Sequence, residues 1–400
     1  MKFDESTLYH VESGLSGERY SLYELATWKN GLAFKRIDFS ETGKPVIKIA
    51  ELNNGISSNT SYTSGDYGED VALHWDDLLF SWSGNPQTSI DVFRYRLEDG
   101  WLNQHIFKVT ANEKLVSKNF LYYVLKCLKP VFTEIATNKQ TTGLGHITLA
   151  DLKRMSLIVP ERRVQDRIVS VLKSIDDKIE VNTEINKNLE AQAMALINDY
   201  CASAIEKIAL GKLMSFDNGY AFQSKTYLSS GKYRIITIKN VLDGKIDSQG
   251  AANINEIPTR MKSNCFLSKG DVLLSLTGNV GRVGIVYEDN LLLNQRVAKI
   301  CPFNNALLPW LYYYFRLPST KVSLETIAKG TAQQNLSPVE TLKLQIPFEM
   351  ASANNLSQVL LTMFNMEISN FIESQQLSKL RDVLLPKLMS GELDVSDIDL

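Results

Sequence analysis

The stretch DRIVSVLKSIDDKIEVNTEINKNLEAQA, residues 166–193, decides the reading of this 400-residue chain. Its apolar positions run Ile168, Leu172, Ile175 and Ile179, then Leu189, Ala193 and Leu196, the three- and four-residue spacing of one helix face. Asn182 and Asn186 interrupt that stripe. A second stripe, Leu356, Leu360 and Met363, then Leu377, Leu380 and Leu384, is interrupted by Asn370 and Ser374 at a constant offset of 188 residues. Polar residues on a helix seam cost stability but fix register and partner. The spacing predicts two helices of about 30 residues, each roughly 45 Å long. Lying antiparallel, they would hold two similar modules about that far apart around a pseudo-two-fold axis.

The offset extends beyond the helices. Asn30-Gly31 with Ala33-Phe34 recurs as Asn218-Gly219 with Ala221-Phe222. PVIKIAELNNG, ending at Gly55, recurs as RIITIKNVLDG, ending at Gly244; DLLFSWSGN from Asp77 recurs as DVLLSLTGN from Asp271. Asn103-Gln104 recurs as Asn294-Gln295, and a Thr/Gln/Gly-rich stretch from Gln140 to Thr148 recurs from Gly330 to Ser337. Shared order at a near-constant shift marks a tandem repeat. Each copy opens with short β-branched and aromatic runs broken by Gly, Asn, Asp and Ser, which read as strands and turns. A module duplicated on a rigid spacer suits two separated half-sites on one DNA duplex, about 45 Å being roughly 13 base pairs. It suits two separated protein epitopes equally well.

With 44% hydrophobic and 22% charged residues, the chain has material for a sizeable core. No window approaches 18 apolar residues and the start, MKFDESTLYH, has no signal-peptide core, so an intracellular, membrane-free protein is expected. Cys127, Cys201, Cys265 and Cys301 form no CxxC pair and predict neither a disulfide framework nor a zinc site. Net charge is −2, yet residues 206–350 carry 17 basic against 11 acidic residues, and residues 351–400 carry 3 against 7.

Catalytic signatures are missing. The histidines, His10, His74, His105 and His146, all lie in the first half, so no histidine mechanism is shared by both copies. There is no GxxxxGK[ST] loop for a nucleoside triphosphate and no GxGxxG opening a helix after a strand. The [DN]PP[YF] tetrapeptide of an amino-methyltransferase is absent, Asn85-Pro86 continuing with Gln87. Asp76-Asp77 read as strand neighbours on opposite faces, and Asp176-Asp177 as a charged helix surface. The expectation is a non-catalytic chain that binds neither metal nor cofactor.

What remains is a set of polar, glycine-bearing loops beside strands, present in both copies. In the first they are Ser83, Gly84, Asn85 and Gln87; Asn103 and Gln104, followed by His105; and Lys139, Gln140, Thr141 and Thr142. In the second they are Thr277, Gly278, Asn279 and Arg282; Asn294, Gln295 and Arg296; and Lys329, Thr331, Gln333, Gln334 and Asn335. Asn and Gln amides match adenine N6 and N7 and Arg matches guanine O6 and N7, while Thr, Lys and backbone N–H groups take phosphates. The same residues also build turns, so each one by itself has a structural explanation. Pro86 and Gln87 set the first copy's loop apart from TGNVGRVGIV at Thr277, so the modules should present different surfaces there.

The helical stretch from Asp166 resembles the central conserved region of a type I restriction–modification specificity subunit, and QQLSKLRDVLLPKLMSGEL from Gln375 resembles that family's distal conserved region. The resemblance implies an α+β architecture: two pseudo-two-fold-related α/β target recognition domains separated by a pair of long antiparallel coiled-coil-like helices. The expected divisions are a first recognition domain with an N-terminal arm at 1–160, a helical spacer at 161–205 and a second recognition domain at 206–350. A distal helix at 351–388 and a tail at 389–400 complete them. The resemblance also implies that each domain reads half of a bipartite, asymmetric site on double-stranded DNA. The helices set the gap and dock two modification subunits that methylate adenine N6. Leu172, Ile175, Ile179, Asn182, Asn186, Leu189, Leu360, Met363, Asn370, Leu377, Leu380 and Leu384 are the expected seam and docking residues. Two restriction subunits would complete the assembly in the cytoplasm of a prokaryote. S-adenosylmethionine, ATP and Mg2+ would sit on the partners, with none on this chain. A specificity subunit serving a fused methyltransferase–nuclease would look much the same, and a bivalent protein-binding scaffold is the alternative from another class.

Overall fold

A computed structural model describes residues 9–10, 14–140, 143–328 and 334–395. The chain divides into two compact units, Met1–Asp177 with Ser378–Leu400, and Lys178–Leu377.

In the first unit an antiparallel sheet orders the strands Ala26–Asn30, Ile106–Ala111, Leu78–Ser81 and Asp91–Arg94. Side chains alternate across a strand. Leu78 and Phe80 therefore enter one core with Phe120, Val124 and Phe132, while Leu79 enters another with Ile47, Tyr95 and Trp101. A strand buried on both faces reads as a continuous apolar run, which is why DLLF lacks polar alternation. A smaller mixed sheet carries the second core, with Lys44–Ile47 parallel to Gly100–Leu102. The second unit repeats the plan. Val272 and Leu274 face one core and Leu273 the other. Tyr233–Ile236 runs parallel to Leu291–Leu293, as Lys44–Ile47 does to its partner. Asp76 and Asp77 precede the strand rather than lie in it: Asp76 takes φ 72° in a turn and pairs with Arg96 and Lys118, both at 2.7 Å.

Four helices carry the seam or pack against it: α1 (Lys118–Cys127), α2 (Arg162–Ser203), α3 (Leu308–Arg316) and α4 (Met350–Ser390). The 42 residues of α2 and 41 of α4 exceed the expected 30. Both continue into the unit cores, where apolar contacts extend them. Ile168 and Leu172 of α2 share the first unit's core with Leu385 and Leu388 of α4. Ala193, Ile197 and Tyr200 share the second unit's core with Leu360 and Phe364.

Within each unit the two helices run antiparallel. Ile175 is buried, and Ile179, Leu189, Met363, Leu377 and Leu384 are half-buried. Two positions of the apolar stripes, of which Leu380 is an expected seam residue, are not in the seam. Leu196 is 37% exposed, with Ile197 buried in its place. Leu380 is 48% exposed, and the neighbouring Arg381 instead reaches Asp176, Nη1 to Oδ1 at 2.9 Å. Asp176 is therefore no plain surface charge. It also accepts the Tyr123 hydroxyl of α1 at 2.8 Å, whereas Asp177 forms a surface pair with Lys173.

The polar interruptions meet one another. Asn182 is buried and donates to Glu373 Oε2 at 2.7 Å and Ser374 Oγ at 3.3 Å. Asn370 donates to Asn186 Oδ1 at 2.9 Å, and Asn186 donates to the Glu367 carbonyl at 2.9 Å. Asn182 Oδ1 has no partner among the described residues, but the bonds that do form require one alignment, and such bonds specify register. Beside it lies Glu367, 4% exposed, accepting the Tyr313 hydroxyl of α3 at 2.6 Å. Burial pushes its carboxyl up to about 7, with Glu190 adding to the rise and Arg316 opposing it.

In the full chain the folded state keeps the Glu367 proton between pH about 4.5 and 7 while the unfolded state releases it, so this group's contribution to stability falls as pH rises through that window. Above pH 7 the deficit is about 3 kcal/mol. Urea unfolding of Glu367→Gln should show that slope flattened and higher stability at pH 8, since the amide still accepts from Tyr313. In the seam, Asn186→Ala and Asn370→Ala should each cost about 1–2 kcal/mol, and the double variant should cost less than their sum because they remove one shared bond.

Candidate nucleic-acid interface

In the first unit three loops distant in sequence close on Trp82. Its backbone N–H donates to the His105 carbonyl at 3.0 Å, and its carbonyl accepts from Ile147 N–H at 2.8 Å. Next to it, Ser83–Gly84 pairs with Gly145–His146, Ser83 opposite His146. In the second unit Leu276 donates to the Arg296 carbonyl at 3.1 Å and accepts from Leu336 N–H at 2.7 Å. Next to it, Thr277 bridges to Asn335. Asn103-Gln104-His105 corresponds to Asn294-Gln295-Arg296, and the stretch at Gln140–Thr148 to that at Gly330–Ser337, so one backbone knot is built twice. The sequence carries no direct sign of these carbonyl links, and Trp82 and Ile147 are absent from the expected site residues for that reason.

The knot brings most of the expected loop residues to one place in each unit, in different capacities. Asn85 accepts the backbone N–H groups of Gln87 at 2.9 Å and Thr88 at 3.3 Å, so its carboxamide oxygen ties the turn while Gln87 stays exposed. Asn103 and Gln104 are half-buried, their backbone N–H groups bonded to Ile47 and Leu32. The Lys139 ammonium sits 2.5 Å from Asp151, which is 2% exposed. Burial disfavours charge on Asp151, but Lys139 and Thr148 outweigh it and hold the carboxyl below its ordinary range. Lys139 is thus a strut of the fold. Gln140 donates to the Gly143 carbonyl at 2.6 Å, and Thr141 and Thr142 lie outside the described residues.

The second unit's loop is more basic. The Thr277 hydroxyl donates to Asn335 Oδ1 at 3.0 Å, and Gly278, at φ 76°, donates its N–H to the Gln334 carbonyl. Asn279, with its amide oxygen toward Arg282, accepts from Nη1 at 3.0 Å and Nη2 at 3.2 Å. Asn294 is buried and accepts the Arg296 backbone N–H at 3.4 Å. Gly278, Asn279, Gln295, Arg296, Gln334 and Asn335 are exposed. Lys329, Thr331 and Gln333 lie outside the described residues. The first unit thus offers an imidazole and amides where the second offers two guanidinium groups, and both kinds of surface can meet base edges. No helix among the described residues is long and apolar enough to cross a membrane.

Residues 17–191 and 203–352 each match the family model described as the type I restriction modification DNA specificity domain. The chain is 22% identical to the type I restriction enzyme EcoBI specificity subunit of Escherichia coli, across 84% of this chain and 78% of that protein. It is also 22% identical to the HindI specificity subunit of Haemophilus influenzae, across 75% and 84% of the two. A crystal structure of a type I restriction–modification S subunit from M. genitalium has the same fold, with a TM-score of 0.55 at 16% identity over 94% of this chain and 96% of that one. Two successive matches, one to each repeat and together taking in most of the chain, mean that it belongs to the family of type I restriction–modification DNA specificity subunits.

Proposed function

We propose that this chain is the address-reading subunit of a type I restriction–modification complex, each repeat reading one half of a bipartite, asymmetric site on double-stranded DNA. The observation that carries the reading is the duplicated knot at Trp82 and Leu276. One backbone frame presents different exposed side chains in the two units. An unequal pair of readers on equal frames is what an asymmetric target calls for. The recognition domains on this reading occupy residues 1–160 and 206–350, with the helical segments 161–205 and 351–388 between and after them.

The long helices then dock two modification subunits that methylate adenine N6 in each half-site and, in the full complex, two restriction subunits. Exposed Val181, Ile185, Val359, Leu380 and Val383 on α2 and α4 offer apolar contact for such partners. S-adenosylmethionine, ATP and Mg2+ belong to those partners, and the complex works in the prokaryotic cytoplasm.

Methylome sequencing of a host that expresses this chain with its modification subunit should reveal N6-methyladenine in both halves of a split motif. The motif should vanish when this chain is deleted; an unchanged methylome with an active partner would sink the reading. Replacing residues 206–350 with the corresponding domain of another member should alter one half of the motif only. Calorimetry on the isolated chain should detect binding of neither S-adenosylmethionine nor ATP.

A further inference from the structure

His105 is one of three non-glycine residues with a positive φ among the described residues. It sits at the first unit's knot, exposed, with φ 73°. That left-handed backbone suits glycine best, and asparagine, aspartate and histidine enter it more often than other residues, each at a modest conformational cost relative to glycine. Three anchors impose it. The His105 carbonyl accepts from Trp82 N–H at 3.0 Å, Gln104 N–H bonds the Leu32 carbonyl at 2.7 Å, and Ile106 is paired with Ser81 in the sheet. All three are backbone bonds that glycine would make with less strain.

The imidazole itself stands edge-on to the Trp82 indole, ring centroids 5.2 Å apart and planes at 61°. Trp82 does not need this contact to stay in place. Its Nε1 donates to Asn30 Oδ1 at 2.9 Å, and its ring stacks on Phe107 at 5.7 Å. The indole is a fixed platform and the imidazole is what it aims. Neither imidazole nitrogen hydrogen-bonds another described residue. Side chains held at a conformational cost cluster where they have work to do. In the second unit, the position whose carbonyl closes the same knot is exposed Arg296.

We propose that His105 reads a base for the first module, its ring N–H donating to the N7 of a purine in the major groove, as the counterpart of Arg296 in the second module. A neutral imidazole carries one donor and one acceptor. Purine N7 is an acceptor common to adenine and guanine, so the contact selects purine over pyrimidine. The proposal rests on the specificity reading above, and adds to it a residue, a groove and a base class.

The test is a library of sites randomised at every position of both halves, methylated in a host by the complex carrying the unaltered chain, His105→Gly, His105→Asn or Arg296→Ala. The unaltered chain should require a purine at one position of one half. His105→Gly should lose about tenfold of that discrimination, leave the other half intact and melt no lower than the unaltered chain. His105→Asn, which also tolerates the backbone and matches adenine N6 and N7, should shift that position towards adenine. Arg296→Ala should relax a position in the other half only. Unchanged preference in His105→Gly, or a lower melting temperature with both halves weakened alike, overturns the proposal and leaves the specificity reading standing. If the unaltered chain selects no bipartite site, the specificity reading itself falls, and the proposal with it.

Discussion

Most of what the two sites present is drawn together by a pair of backbone hydrogen bonds made by one residue in each unit, Trp82 and Leu276. A main-chain group buried without a partner is costly, so a residue that bonds two other loops through its N–H and carbonyl fixes both. The bonds are indifferent to side-chain identity, and tryptophan serves in one unit and leucine in the other. Side chains around the knot are accordingly free to differ. A frame of this kind lets recognition change by substitution without rebuilding the domain.

The attachment of each module to the long helices follows a similar logic with less identical chemistry. A tyrosine on the module's helix donates to a carboxylate in both units, Tyr123 to Asp176 and Tyr313 to Glu367. In the first unit Arg381 also bonds the carboxylate, so the charge is matched. In the second, Arg316 spends its bonds on Glu190 and Asp243, and Glu367 is left to burial and a hydroxyl. One tie is an ion pair with a hydroxyl attached; the other holds a proton near neutrality. The helices are therefore joined to their modules by contacts of different electrostatic character, although the geometry is repeated.

The repeat, the long helices and their polar seam are legible in the sequence because each depends on local spacing. Asn182, Asn186, Asn370 and Ser374 stand out as interruptions of a stripe and prove to be bonded within one seam. Spacing is silent on which of two adjacent positions faces inward, and so Leu380 reads as inward where Arg381 reaches Asp176. It is equally silent on long-range pairing. Lys139 has the composition of a phosphate ligand, but Asp151 twelve residues on claims its ammonium. The helices outrun the length that their stripes predict because their outer turns are stabilised by the module cores rather than by the seam. Glu367 gives no signal at all, since an acid in a helix is ordinarily on the surface.

One property of the division into units bears on how the protein is made. The first unit takes in Met1–Asp177 and is finished by Ser378–Leu400, whereas the second, Lys178–Leu377, is continuous. Gly14 N–H bonds the Ser390 carbonyl at 2.6 Å, and Arg167 Nη1 bonds the Val395 carbonyl at 3.3 Å, so the last segment is built into the first unit. A ribosome delivers that segment only after the whole of the second unit has been synthesised. The order of completion is thus the reverse of the order of synthesis. Until then the first unit's core lacks Leu385 and Leu388, and incompletely covered apolar surface favours association with other chains.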